Sequence, residues 1–146
     1  MNKKINKDIF LEMVNYLFSK TEFKFKAYDS ITPDKLAENI SKIGVSIQWD
    51  KLPNWESLED NDIFQSTFLA PISSSESDRY SISTDSEFDN PIHMSYSQIS
   101  EFINNYFIKN GVSFYNGDVI IVSSTNNYVY IFHHEGVYTN ISGINT

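Results

Sequence analysis

Four short runs rich in β-branched and aromatic residues occupy the C-terminal part of the chain, and they constrain the fold more than any other feature. They are VSFY (112–115), DVIIVSS (118–124), YVYIFHH (128–134) and VYTNI (137–141). Asn116-Gly117 favours the positive φ angles of a tight two-residue turn, and Glu135-Gly136 can close a second one. The spacing predicts an antiparallel meander. Its second run is apolar without interruption, which is typical of a central strand covered on both faces.

Three segments before the meander have the spacing of amphipathic helices. Residues 5–18, 36–43 and 96–107 repeat apolar side chains every three or four positions. Helices packed on one face of the sheet would bury these stripes. We therefore predict an α+β fold, with N-terminal helices and one later helix packed on a mainly antiparallel sheet that ends in a C-terminal β-meander.

Local signals mark the ends of two of these helices. Thr32 followed by Pro33 is typical of a helix N-terminus, and Gly44 would permit a left-handed exit after the last turn. Ser95 with Gln98 forms a capping-box pattern before the later helix, and Asn110-Gly111 would end that helix.

The remaining segments have weaker patterns. Alternation predicts a strand over 45–49 and either a short strand or an extended loop over 21–28. Two further strands are expected around 64–69 and 79–83, and a Ser/Asp-rich stretch predicts a loop over 73–78. We find no internal repeat and no second hydrophobic core, so residues 1–146 are expected to form one domain. A chain of 146 residues is long enough to bury one substantial core.

Several features predict a cytoplasmic protein. The chain has no cysteine, which fits a reducing compartment and excludes thiolate metal sites. Met1-Asn2-Lys3-Lys4 precedes an amphipathic pattern rather than the continuous apolar segment of a signal peptide. No run approaches the ~18 apolar residues of a membrane span, so we expect no membrane association.

The negative charge is concentrated beyond residue 51. Residues 1–51 hold nine lysines against seven acidic residues, or +2, whereas residues 52–146 hold two basic residues against twelve acidic ones, or −10; together these give the net charge of −8. Such a surface repels phosphate and attracts cations or basic proteins. We therefore expect a basic protein partner and no direct binding of nucleic acid.

The expected partner-binding surface combines the acidic stretch with one tryptophan. Its candidate residues are Asp50, Trp55, Glu56, Glu59, Asp60, Asp62, Glu76, Asp78, Asp85, Glu87 and Asp89. In one interpretation Trp55 is an exposed aromatic anchor of the interface. In the other, Trp49 ends a strand in the core and Trp55 covers it.

His133-His134-Glu135 is the one cluster with the composition of a chemical site. Neighbouring residues on a strand point to opposite faces, so the two imidazoles share a metal only where the strand ends. A third ligand would have to come from His93 or from an acid such as Asp118. The sequence shows no nucleophile elbow, phosphate-binding glycine loop or calcium loop. We therefore predict no catalytic residues, no cofactor and no metal, and a protein that is not an enzyme.

The hairpin-like segments GVSFYNGDVIIVSS and NNYVYIFHHEGVYTNI, in a small acidic chain without cysteine, resemble bacterial immunity proteins, including those of contact-dependent growth inhibition. The resemblance implies a cytoplasmic antitoxin that binds a cognate toxin domain, often a basic nuclease, and blocks its active site or substrate path. These immunity families share few residues with one another, so the resemblance assigns no individual site residue.

Three other classes of function stay open at the level of sequence. A DNA mimic would present a regular, extended array of carboxylates. A small metal-dependent enzyme would bind a divalent ion at His133 or His134. An accessory module would pair with its partner through a sheet edge, with little dependence on salt.

Overall fold

The computed structural model describes residues 3–18, 32–69, 79–85, 87–123 and 127–142. The helices in these ranges are α1 (Lys7–Leu17), α2 (Pro33–Ser41), α3 (Asp60–Thr67) and α4 (Tyr96–Asn110). The strands are β1 (Lys3–Lys4), β2 (Ile47–Gln48), β3 (Arg79–Thr84), β4 (Ile92–Ser95), β5 (Val119–Ser123), β6 (Tyr128–His133) and β7 (Val137–Ser142). None of these helices is both long and apolar enough to cross a membrane.

One sheet contains all the strands of these ranges, in the order β1-β4-β3-β5-β6-β7-β2. Every neighbouring pair is antiparallel. The α+β class and the C-terminal meander of β5, β6 and β7 are therefore confirmed. The expected strand over 79–83 is also confirmed, as β3, whereas β4 has no counterpart among the strands predicted from the sequence.

Helices cover both faces of the sheet, which corrects the expectation that they share one. Along β6, the side chains of Tyr128, Tyr130 and Phe132 pack with those of α3 and α4. The alternate side chains of Val129 and Ile131 pack with those of α1 and α2. All residues of β5 and β6 are buried. The continuous apolar run in β5 predicted a strand covered on both faces. This prediction is confirmed, because helices pack against both faces of the sheet.

The predicted helix ends are largely confirmed. Thr32 Oγ1 accepts a hydrogen bond from the backbone amide of Lys35 (3.2 Å) at the start of α2. Ser95 and Gln98 form the expected capping box of α4. Gly111 follows α4 with φ 75°, a left-handed conformation that favours glycine.

Two predicted features of the C-terminal hairpins are wrong. Phe114–Asn116 form a single 3₁₀ turn rather than a strand, and Gly117 has φ −120°, so no two-residue hairpin turn occurs there. A side chain at Gly117 would instead overlap the Tyr106 hydroxyl. Between β6 and β7 the turn contains three residues, 134–136, and Gly136 has φ 94°. This is the hairpin type in which the last loop residue is left-handed.

The sequence patterns before residue 80 are only partly reliable. The strand predicted over 64–69 is wrong, because a capping box of Glu59 and Asp62 begins α3 four residues earlier. In the segment 45–49, only Ile47–Gln48 pair as a strand. The predictions for 21–28 and 73–78 lie outside the described residues.

Gly44 is needed for close packing rather than for a left-handed helix exit. Its φ is not positive, since the positive-φ glycines of the described ranges are Gly111 and Gly136. A Cβ atom at Gly44 would lie 2.7 Å from Thr139 Cγ2 and 2.9 Å from Ile141 Cγ1. Both neighbours belong to β7 and are buried. The chain leaving α2 therefore passes too close to the sheet for a side chain.

Gly44→Ala should lower the free energy of unfolding by about 1–3 kcal/mol, because the added methyl group overpacks this contact. Urea denaturation measures the effect. Val45→Ala is a neighbouring control, since Val45 is 75% exposed and its truncation should change stability by less than about 0.5 kcal/mol. A glycine that served only as a flexible link would give the opposite sign, a gain of about 0.4–1 kcal/mol with alanine.

Candidate functional site

Two histidines and two aspartates meet at one end of the sheet, and we call them the His–Asp cluster: Asp34, Asp118, His133 and His134. Asp34 lies in the first turn of α2, and Asp118 immediately precedes β5. His133 is the last residue of β6, and its side chain follows Val129 and Ile131 toward α2. His134 begins the turn and does not continue the strand alternation. The two imidazole centroids are therefore only 4.5 Å apart.

Each histidine of the cluster lies close to both aspartates. His133 Nε2 is 2.8 Å from Asp34 Oδ1 and 3.8 Å from Asp118 Oδ1. His134 Nδ1 is 3.0 Å from Asp118 Oδ1 and 3.6 Å from Asp34 Oδ1. The short distances are hydrogen bonds. The four side chains thus form a closed ring in which imidazole and carboxylate alternate.

The cluster has a buried half and an exposed half. The side chains of His133 and Asp118 are 4% and 7% exposed, whereas those of His134 and Asp34 are 44% and 51% exposed. Asp118 also accepts a hydrogen bond from the backbone amide of His134 (3.1 Å). The inner two groups are therefore fixed by the sheet, and the outer two face solvent.

The ion pairs perturb the ionisation of the exposed members. The hydrogen bond from His133 lowers the pKa of Asp34, and nearby histidine charges act in the same direction. The hydrogen bond to Asp118 raises the pKa of His134. Each hydrogen bond therefore favours the charged form of the exposed group.

A further carboxylate, that of Asp85, contacts the backbone next to the cluster. Asp85 is exposed as a residue, but its carboxylate oxygens lie against Gly117, and Oδ1 accepts a hydrogen bond from the backbone amide of Asp118 (2.7 Å). Burial raises the pKa of Asp85, and the charge of Asp118 acts in the same direction. Three carboxyl groups, those of Asp34, Asp85 and Asp118, therefore lie near one another at this end of the sheet.

Sequence reasoning identified three of the four members of the cluster. It named His133 and His134, gave Asp118 as one possible third ligand, and made the end of the strand a condition for a shared metal, but it predicted no metal site. Strand β6 does end at His133. Sequence reasoning missed Asp34, which is 99 residues from its partner His133. His93, the other suggested ligand, is not in the cluster, and its Nδ1 lies 3.0 Å from Ser81 Oγ.

The predicted partner-binding surface contains a second structured feature, the acidic segment, residues 50–62. Trp49, which precedes it, packs against Trp55 (centroids 4.7 Å apart) and Tyr115 (4.4 Å). The backbone amide of Trp49 donates to Gly136 O (3.2 Å). Trp55 is half-buried, so it covers Trp49 rather than standing free in solvent.

Among the described residues, no lysine or arginine forms an ion pair with a carboxylate of the acidic segment. Asp50, Glu56, Glu59 and Asp62 are exposed, and Asp60 is half-buried and accepts a hydrogen bond from Ser113 Oγ (3.1 Å). Across the described parts of the chain, none of these five forms an ion pair. Glu59 and Asp62 also cap α3.

The predicted partner-binding acids beyond residue 84 are in a different situation. Glu87 is buried and forms ion pairs with Lys109 and Lys4, beside a cleft of about 180 Å³ between α4 and the sheet. Asp89 pairs with Lys7 (3.8 Å), and Asp85 binds the Asp118 amide. Burial therefore argues against the prediction that Glu87 faces a partner. Glu76 and Asp78 lie outside the described residues.

The hydroxyl of Tyr106, next to Gly117, provides a test of the charge at this end of the sheet. Burial raises the pKa of Tyr106 to about 12, and the charges of Asp85 and Asp118 contribute. An unfolded tyrosine ionises near pH 10, so the native state should lose stability as the pH rises from about 10 to 12. Tyr106→Phe should remove this part of the loss.

Urea denaturation of both proteins at several pH values between about 9 and 12 measures the difference. Tyr16→Phe is the matched control, because Tyr16 is 59% exposed. If the free energy of unfolding depended on pH in the same way for Tyr106→Phe and for the unmodified protein, the pKa of Tyr106 would not be raised in the native state.

Comparison with known proteins leaves the chain without a family assignment. No protein-family model, curated protein or solved structure matches it. Its function is therefore inferred from the geometry of its own residues, the His–Asp cluster and the acidic segment.

Proposed function

We propose that this protein is an immunity-type inhibitor that acts in the cytoplasm. It binds the basic surface of a toxin domain, in the first instance a nuclease, through the acidic segment and blocks the active site or substrate path. The observation that carries the proposal is the group of five carboxylates in residues 50–62 that form no ion pair with any described residue.

Electrostatics favour a basic partner for this surface. Asp50, Glu56, Glu59 and Asp62 are exposed, and within residues 50–62 they are opposed by Lys51 alone. A nuclease carries positive charge where it holds its polyanionic substrate, so the same surface attracts these carboxylates. Long-range attraction of this kind raises the association rate and suppresses binding to acidic proteins.

The packing of the tryptophans makes the acidic segment a preorganised surface. Trp49 contacts Trp55, Tyr115 and Phe132, which connect the segment to the hydrophobic core. Glu59 and Asp62 are further oriented by the capping box of α3. A surface that is already ordered loses little conformational entropy on binding, which increases affinity for a given contact area.

The distribution of acids favours one specific partner over a DNA mimic. A mimic needs carboxylates at regular intervals over a long surface. In the described residues, the exposed carboxylates without an ion pair are most concentrated in residues 50–62, and others, such as Glu12 and Glu101, are scattered over α1 and α4, whereas Glu87 and Asp89 are paired with lysines. The segment has the extent of a single interface rather than that of a duplex backbone.

Affinity purification from the native cells at low and moderate salt, followed by mass spectrometry, should identify one basic protein that binds stoichiometrically. The purified partner should cleave nucleic acid, and equimolar addition of this protein should suppress that cleavage. A basic partner whose activity is unchanged in the complex would contradict the inhibitor proposal. Recovery of many unrelated DNA-binding proteins would favour a mimic.

Neutralising the acidic segment should weaken this complex. The triple variant Glu56→Gln, Glu59→Gln, Asp62→Asn keeps oxygen acceptors for helix capping and changes the net charge from −8 to −5. We expect the association rate at low salt to fall about tenfold and its salt dependence to become weaker.

A control triple variant removes the same charge elsewhere, through Glu12→Gln, Glu38→Gln and Glu101→Gln at exposed positions of α1, α2 and α4. Surface plasmon resonance with the purified partner compares the two variants. Equal effects would mean that net charge alone governs binding, and would exclude the acidic segment as the interface.

A further inference from the structure

We propose that the His–Asp cluster binds one divalent transition-metal ion of the Zn²⁺ class, with Asp34, Asp118, His133 and His134 as ligands. The ion would connect α2 to the C-terminal meander. This inference is independent of the proposed inhibitor function, because it depends on different residues.

The geometry of the ligand atoms carries the proposal. One ligand atom from each of the four residues lies within 4.8 Å of those from the other three. The four His-to-Asp distances run from 2.8 to 3.8 Å. Tetrahedral zinc with bonds of about 2.0–2.1 Å requires ligand atoms about 3.3 Å apart. Small side-chain adjustments therefore suffice to place an ion at the centre of the ring.

The charge of the cluster also suits a cation. Two more carboxylates lie next to the two ligand carboxylates. Asp85 accepts a hydrogen bond from the backbone amide of Asp118, and Glu135 Oε2 is 3.8 Å from His133 Nδ1. In the described structure, the groups that form ion pairs with Asp34 and Asp118 are the two histidines. Metal ligation requires neutral imidazoles, so a divalent ion would replace histidine protons as the positive charge that partly balances these carboxylates.

The surroundings resemble those of a metal site as well. His133 presents Nε2 to the cluster, and its Nδ1 lies 3.8 Å from Glu135 Oε2, so that a small shift of the exposed Glu135 side chain would give the carboxylate–histidine–metal arrangement. The backbone amide of His134 donates to Asp118 Oδ1 (3.1 Å), the oxygen that faces the two imidazoles, and so holds that oxygen in place. The two buried ligands are thus preorganised, and the two exposed ligands provide access for the ion.

The ligand set indicates the class of metal. Two imidazole nitrogens with two carboxylate oxygens suit Zn²⁺ and neighbouring first-row ions, whereas Mg²⁺ and Ca²⁺ prefer oxygen ligands throughout. Asp34 is separated from His133 by 99 residues. An ion that binds only the native arrangement stabilises it by mass action and links the N-terminal helices to the meander.

Isothermal titration calorimetry of the full-length, untagged, chelator-treated protein tests the site, with Zn²⁺ alone and Mg²⁺ alone as probes. We expect one Zn²⁺ per chain, a rise in the thermal unfolding temperature with Zn²⁺, and neither effect with Mg²⁺. His134→Ala and Asp34→Asn change exposed side chains and should preserve the fold. Each should weaken Zn²⁺ binding at least about tenfold, because even the loss of a group that only hydrogen-bonds to a metal ligand typically lowers metal affinity by that factor.

His93→Gln is the matched control, because His93 lies outside the cluster beside Ser81. It should bind Zn²⁺ as the unmodified protein does. Circular dichroism of the metal-free variants verifies that their folds are equal. Absence of Zn²⁺ binding by the unmodified protein would overturn the proposal, and so would equal affinity in His134→Ala and Asp34→Asn or loss of binding in His93→Gln.

Discussion

Strands β5 and β6 are buried on both faces along their whole length, and the rest of the architecture follows from this burial. Their two rows of side chains each need an apolar cover that excludes water. Aromatic side chains such as Tyr130 and Phe132 pack under α3 and α4 on one side. Smaller aliphatic ones such as Val129 and Ile131 pack under α1 and α2 on the other. The His–Asp cluster lies at the end of this sheet where β6 ends.

The sequence predicts those elements that have local signals. Periodicity with caps at Thr32, Ser95 and Gly111 was enough for α2 and α4, and alternation was enough for β6 and β7. It failed where tertiary contacts decide the conformation. Gly44 is explained by its approach to β7, and the apolar residues of 64–69 belong partly to a helix whose capping box was overlooked. The face of the sheet that each helix covers is likewise a tertiary property.

The candidate sites divide in the same way. His133 and His134 were visible as neighbours in sequence, and the end of β6 brings both rings to one side. Asp34 was not visible, because only the docking of α2 on the sheet brings it there. Charge counting identified the acidic stretch, but could not separate exposed Glu56 from Glu87, which is buried with its own lysines.

The turn between β6 and β7 belongs to both sites at once. His134 lies in the His–Asp cluster. The carbonyl of Gly136 accepts a hydrogen bond from the backbone amide of Trp49, and the Trp49 ring packs against that of Trp55. The chain has no other tryptophan. All of its intrinsic indole fluorescence therefore originates at this corner of the fold. An optical signal from the unlabelled protein reports on the surroundings of the acidic segment and, through one short turn, on those of the two histidines.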